Sequence, residues 1–149
     1  MKIAFICLGN ICRSPMAEFV MKDMTNKHII NSFATSAYHI GEDMHKGTKE
    51  LLIKNNIKCD NFICRQISLE DVKYHDIIFA LDDEILNTLQ NRFQEHKNKI
   101  QSFCTYCNLG YKNVPDPWYS GNFEEVYMII KHSCKNILKA IDEENINCN

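Results

Sequence analysis

Apolar and polar positions divide the chain into alternating strand-like and helix-like stretches. Lys2 to Leu8 is a short apolar run closed by Gly9 and Asn10, the pattern of a buried strand. Ser14 and Pro15 follow as a helix N-cap and first helical residue, and Ala17, Val20, Met21 and Met24 then recur at helical spacing. Ile29 to Ser36 is a second strand, and Thr48 to Asn55 a short helix. Ser68 with Asp71 three residues on forms a capping box that opens another helix. Asp76 to Leu81 is the best strand after the first, and Ile85, Leu86, Leu89 and Phe93 mark a helix behind it. Ile100 to Cys104 is a weaker fourth strand. From Asn122 onward, Phe123, Val126, Tyr127, Ile130, Cys134, Ile137, Leu138 and Ile141 describe a long amphipathic helix. Strands alternating with helices predict an α/β fold with a parallel sheet covered on both faces. Sites in such sheets form at the carboxyl ends of strands, and the first strand ends at Cys7.

Composition narrows the function classes. The 149 residues fit one domain, and no linker, repeat or low-complexity segment divides them. Hydrophobic residues make up 45% and charged residues 24%, and the formal net charge is -2. Nothing in that balance calls for nucleic acid or a membrane surface as partner. Eight cysteines are many for this length. An even number in a secreted chain would suggest disulfides, but Gly9, Asn10 and Arg13 interrupt the N-terminal apolar run too early for a secretory signal. We therefore expect a cytoplasmic protein with most of its cysteines as thiols, and we expect it to be a monomer.

The segment from Cys7 to Ser14 reads C-L-G-N-I-C-R-S. Cys, five residues, then Arg is a weak pattern by itself, because Cys59 to Arg65 (C-D-N-F-I-C-R) repeats it. Context separates the two. The first copy lies between a strand and a helix and contains Gly9 and Asn10, which permit close approach and left-handed backbone. The second has a carboxylate, Asp60, beside its cysteine and no glycine. A tight loop entering a helix turns the amides of Leu8, Gly9, Asn10, Ile11 and Cys12 inward as an anion nest. Arg13 adds a bidentate fork for phosphate oxygens, the positive field suits Cys7 as a nucleophile, and Ser14 can donate a hydrogen bond to its sulphur. Cys12, in the same loop, is a candidate to capture an oxidised Cys7 as a disulfide.

Cleaving a phosphate ester requires a proton for the leaving oxygen. Asp116 lies in V-P-D-P-W-Y, where Pro115 and Pro117 stiffen its loop and Trp118 and Tyr119 can wall a cleft for an aromatic substrate.

Together, C-L-G-N-I-C-R-S-P-M-A-E (Cys7 to Glu18) and D-P-W-Y (Asp116 to Tyr119) resemble the low-molecular-weight protein tyrosine phosphatases. Weaker similarity runs through A-T-S-A-Y-H-I-G (Ala34 to Gly41) and R-Q-I (Arg65 to Ile67). The resemblance implies a flavodoxin-like sandwich around a four-stranded parallel sheet. It implies a reaction without metal or cofactor, in which Cys7 forms a cysteinyl-phosphate, Arg13 clamps phosphate and Asp116 is the general acid and base. Substrates would be phosphotyrosine proteins or small aryl phosphates, with inorganic phosphate as product. It places Tyr38, Trp118 and Tyr119 at the cleft and Ser32 as partner of Asn10. Many members have a His near Phe62 that braces the loop asparagine through a serine. Phe62 cannot do so, which leaves the bracing of Asn10 open, and E-D-M-H-K after Gly41 lacks the family's usual proline.

Other features read as structural. Cys104 and Cys107 form C-x-x-C, with Cys134 and His132 the nearest further zinc donors, but the spacing does not suit a site. Asp82, Asp83 and Glu84 suit the start of a helix, and the six His residues read as surface or core filler. Two rivals remain: an arsenate reductase, which needs a cysteine relay, and a phosphopeptide-binding module without turnover.

Overall fold

The computed structural model describes residues 1–143. Four parallel strands, β1 (Lys2–Cys7), β2 (Ile29–Ala34), β3 (Ile77–Ala80) and β4 (Ile100–Ser102), form one sheet in the order β2-β1-β3-β4. Lys2 pairs with Ile29 and Cys7 with Ala34, while Ile3 pairs with Ile77 and Ile6 with Ala80. Successive strands are joined through helices: β1 to β2 by α1 (Arg13–Met24), β2 to β3 by α2 (Lys46–Lys54) and α3 (Leu69–Tyr74), and β3 to β4 by α4 (Asp83–Arg92). A short α5 (Pro117–Ser120) and the long α6 (Phe123–Asp142) complete the order. No helix among the described residues is long and apolar enough to cross a membrane.

Successive side chains of a strand point to opposite faces, and the core divides accordingly. Ile3, Phe5 and Cys7 join Ile77 and Phe79 in the cluster that includes Met16, Val20, Leu52, Val126, Ile130 and Cys134 of α1, α2 and α6. Ala4 and Ile6 join Phe33, Ile78 and Ala80 in the other, with Val72 of α3 and Ile85 and Leu89 of α4. Both faces are therefore covered, as the apolar runs predict, in the flavodoxin-like arrangement. Phe5 stacks on Phe79 and meets Phe103 edge-on, all three fully buried. Burying side chains of that size contributes roughly 1.5–3 kcal/mol each.

Several boundaries differ from expectation. Helix α1 begins at Arg13, and Ser14 is not its N-cap but a residue of the first turn whose hydroxyl is engaged elsewhere. Helix α2 starts at Lys46, capped by His45, two residues before the expected Thr48. Strand β4 stops at Ser102, and Cys104 lies in a 3-10 turn from Phe103 to Tyr106. The capping box of Ser68 and Asp71 forms as read, and Asp82 caps α4.

Candidate active site

Cys7 ends β1, and the chain from Leu8 to Cys12 curls before α1 begins. The carbonyls of that curl are held from outside. Thr35 N–H donates to Cys7 O, and both N–H and hydroxyl of Ser36 donate to Leu8 O. The Cys64 thiol donates to Asn10 O at 2.9 Å, His45 N–H to Ile11 O at 2.8 Å and the Thr48 hydroxyl to Cys12 O at 3.1 Å. Asn10 sits at the turning point with φ 56°, in the left-handed region that asparagine tolerates better than most residues.

The side chain of Asn10, fully buried, organises a hydrogen-bond relay. Its amide nitrogen donates to Ser14 Oγ at 2.8 Å and to Ser32 Oγ at 2.9 Å, while Arg65 N–H donates to its Oδ1 at 3.1 Å. Each serine oxygen accepts from Asn10 and keeps its own proton to give away. Ser32 gives its proton to Glu18 Oε1 at 2.6 Å. The relay thereby aims the proton of Ser14 at Cys7 Sγ, 3.0 Å away. Bracing thus comes from Ser32, Glu18 and the Arg65 backbone, while Phe62 packs edge-on against Phe19. In the second Cys-x5-Arg copy, Cys64 and Arg65 serve as struts for the first, both bonded to Asn10.

Arg13 is 4% exposed. Its Nη1 donates to Asp82 Oδ2 at 2.7 Å and to Val114 O at 2.9 Å, and its Nη2 lies 3.7 Å from Asp116 Oδ2. Burial alone would push the guanidinium's pKa down, but the Cys7 charge, the Asp82 hydrogen bond and Asp116 outweigh it and hold it above its ordinary value. Asp116 caps α5: its Oδ1 accepts from Trp118 N–H at 3.0 Å, and Pro117 occupies the first helical position.

These elements enclose a cleft of about 360 Å³. Cys7, Leu8, Gly9, Ile11, Cys12 and Arg13 line it from the loop, and Tyr38, Asp116, Trp118 and Tyr119 from the sides. Asn10 and Ser14 do not line it; both lie at 0% exposure behind the loop and act on its shape. His39, read as filler, also lines the cleft, with its Cδ2 3.0 Å from where a Cβ on Gly9 would stand. Its ring tilts toward Trp118 at 6.0 Å, and Nδ1 pairs with Glu42. Asp82, Glu18 and His39 are the site residues that sequence reasoning missed. The signals available were the position of Asp82, directly after a strand at the carboxyl edge of the sheet, and that of Glu18, the last residue of the matching Cys7–Glu18 segment.

The seven described cysteines are free thiols. Burial first, then the charges of Cys7 and Asp116, push Cys12 up to about 12. Burial, then Glu42 and Cys7, does the same to Cys64, and burial with Cys107 takes Cys104 to about 12. Among the described residues no three His, Cys, Asp or Glu side chains converge to hold a metal ion, Cys104 and Cys107 included.

Residues 2–147 match the family described as low molecular weight phosphotyrosine protein phosphatase. The chain is 36% identical to the low molecular weight protein-tyrosine-phosphatase YfkJ of Bacillus subtilis, over 95% of this chain and 96% of that one. It is also 36% identical to PtpA of Staphylococcus haemolyticus, over 93% and 92%. The crystal structure of YfkJ superposes with a TM-score of 0.92, covering 98% of this chain and 97% of that one. A Drosophila arginine phosphatase, 28% identical, superposes at 0.86 over 95% and 98%. By sequence and by fold alike, the chain belongs to the low molecular weight protein tyrosine phosphatases, a family of phosphoric monoester hydrolases.

Proposed function

We propose that the protein hydrolyses phosphotyrosine and other aryl phosphate monoesters through a cysteinyl-phosphate on Cys7. The observation that carries this reading is the meeting of Cys7, Arg13 and Asp116 around one cleft with aromatic sides. The outward tethering of the loop carbonyls supports an inward-facing set of amides for phosphate. Nη1 of Arg13 is committed to Asp82 and Val114. Its Nε and Nη2 edge is thereby left to fork two phosphoryl oxygens and to carry their charge in the transition state. Tyr38, Trp118 and Tyr119 offer flat surface to a phenol ring.

In the first step the Cys7 thiolate attacks phosphorus, the bond from phosphorus to the aryl oxygen breaks, and Asp116 gives that oxygen its proton. In the second, the Asp116 carboxylate takes a proton from water, the hydroxyl bonds to phosphorus, and the sulphur–phosphorus bond breaks. Inorganic phosphate leaves, and the Ser14 hydroxyl stabilises the departing thiolate. The free thiols suit a reducing compartment, and we place the protein in the cytoplasm, acting as a monomer.

Cys7→Ser is expected to abolish turnover while inorganic phosphate still binds. Asp116→Asn is expected to lower kcat/KM for phenyl phosphate by roughly 10²–10⁴ and much less for 4-nitrophenyl phosphate, whose phenolate leaves unaided. Equal losses on both esters would remove Asp116 as the acid. A phosphoarginine peptide and arsenate with thioredoxin belong in the same assay, and phosphotyrosine is expected to be preferred. Efficient arsenate reduction would overturn the reading.

A further inference from the structure

His45 lies between the nucleophile loop and the acid without lining the cleft. Its backbone N–H donates to Ile11 O at 2.8 Å, which fixes it to the loop. Its ring stacks on Phe123 of α6, centroids 5.1 Å apart at 26°, and meets Trp118 edge-on at 5.5 Å and 76°. Trp118 is in turn bonded through its backbone N–H to Asp116 Oδ1. A continuous line of contacts therefore runs from Ile11 through the imidazole to the carboxyl.

Capping does not explain a histidine here. Nδ1 of His45 accepts from Gly47 N–H at 2.9 Å and so caps α2, but Asn, Asp, Ser or Thr does that as well or better. What histidine adds is a flat ring. Gly47 points to the same purpose, because a Cβ on it would stand 2.5 Å from two atoms of the Phe123 ring. A side chain there would push Phe123 off the imidazole. Two local choices at the start of α2 thus serve one stack, and that stack backs Trp118.

We propose that His45 is a positioning residue for proton donation. Its ring, clamped by Phe123 and tethered to Ile11, sets Trp118 and through it the reach of Asp116 over Cys7. The inference rests on Asp116 being the acid. Small displacements of a reacting group cost large factors in rate, and the cost falls on the step that uses the displaced group.

The test compares His45→Asn, which keeps a capping acceptor and removes the ring, with wild type on phenyl phosphate and 4-nitrophenyl phosphate. The parameter is kcat/KM, which reports the step that expels the phenol. A loss of about tenfold on phenyl phosphate is expected, with about twofold or less on the activated ester. In the Asp116→Asn background the same change should add no further difference between the esters. Trp118 is the only tryptophan in the chain, so its emission should change in His45→Asn. Phe123→Leu should reproduce the pattern, and replaces His45→Asn if circular dichroism shows that variant unfolded. Equal losses on both esters, no loss, or unchanged Trp118 emission would overturn the proposal. If Asp116→Asn discriminates between the esters and His45→Asn does not, only the role of His45 falls. If Asp116→Asn does not discriminate, the acid assignment falls and takes this role with it.

Discussion

Replacing Glu18 should damage both stability and the loop from Cys7 to Arg13, although Glu18 lies outside the cleft. The carboxylate is 4% exposed and accepts the Ser32 hydroxyl at 2.6 Å on Oε1 and the Lys22 ammonium on Oε2. Glu18→Ala removes a charge-assisted hydrogen bond, worth about 1.5–3 kcal/mol, and leaves a fully buried hydroxyl to find a new partner. The Lys22 pair adds little, because that side chain is 44% exposed and such pairs contribute up to about 1 kcal/mol. The total is about 2–4 kcal/mol, or a fall in Tm of roughly 4–16 °C for a domain of this size. Ser32 also orients Asn10, so kcat/KM for 4-nitrophenyl phosphate should fall about tenfold. Glu18→Gln retains an acceptor for Ser32 and should lose about half as much stability. Melting followed by circular dichroism, beside steady-state kinetics, measures both. A Glu18→Ala protein that melts within about 1 °C of wild type would refute the relay. So would a Lys22→Met protein that is as damaged as Glu18→Ala, since the surface pair would then carry the effect.

Stability should also depend on pH through His75. Burial holds its imidazole below the ordinary value, while Nδ1–H donates to Asp71 O and Nε2 accepts from Asn31. A depressed imidazole contributes fully above the unfolded value of about 6.5 and loses that contribution as pH falls below it. Tm between pH 7.5 and 5 should therefore fall less steeply in His75→Gln than in wild type, and parallel curves would exclude the effect. Peroxide should inactivate the enzyme by oxidising Cys7 to a sulfenic acid, which Cys12 then converts to a disulfide with loss of water. Thiol reductant should restore wild type but not Cys12→Ser, and equal recovery with no linked Cys7–Cys12 peptide would leave Cys12 as packing. Gly47→Ala should lower stability by about 1 kcal/mol, the displacement of Phe123 outweighing the helical gain of alanine; a raised Tm would show that the ring moves freely.

What could be read from the sequence was what lies close together in it. Lys2 to Cys7 announces a buried strand because both faces are covered and every position after the first is apolar. Cys7, Arg13 and Asp116 stand out because each sits in a motif whose neighbours agree with one chemistry. Ser14 misled at the level of local rules: a serine before proline at a helix start is normally a cap, but here its hydroxyl is held by Asn10 and aimed at Cys7. The remaining site residues act across distance. Arg13 meets Asp82 and Val114, 69 and 101 positions away, and Asn10 meets Arg65 55 positions away. No periodicity or spacing encodes such meetings. Asp60 argues against phosphate at the segment of Cys64 and Arg65, but nothing local announces that these two residues hold Asn10. Phe62 likewise gave no hint that a glutamate on α1 would do the bracing.

The tethers of the loop after Cys7 have an order in time as well as in space. A ribosome releases Cys7 first, then Thr35 and Ser36, then His45 and Thr48, then Cys64 and Arg65, then Asp82, and last of these Val114 and Asp116. Until that last stretch emerges, Arg13 lacks its contacts with Val114 and Asp116. On the proposed mechanism, a growing chain therefore carries Cys7 without its acid until Asp116 has been made, and reactivity follows the last of these contacts.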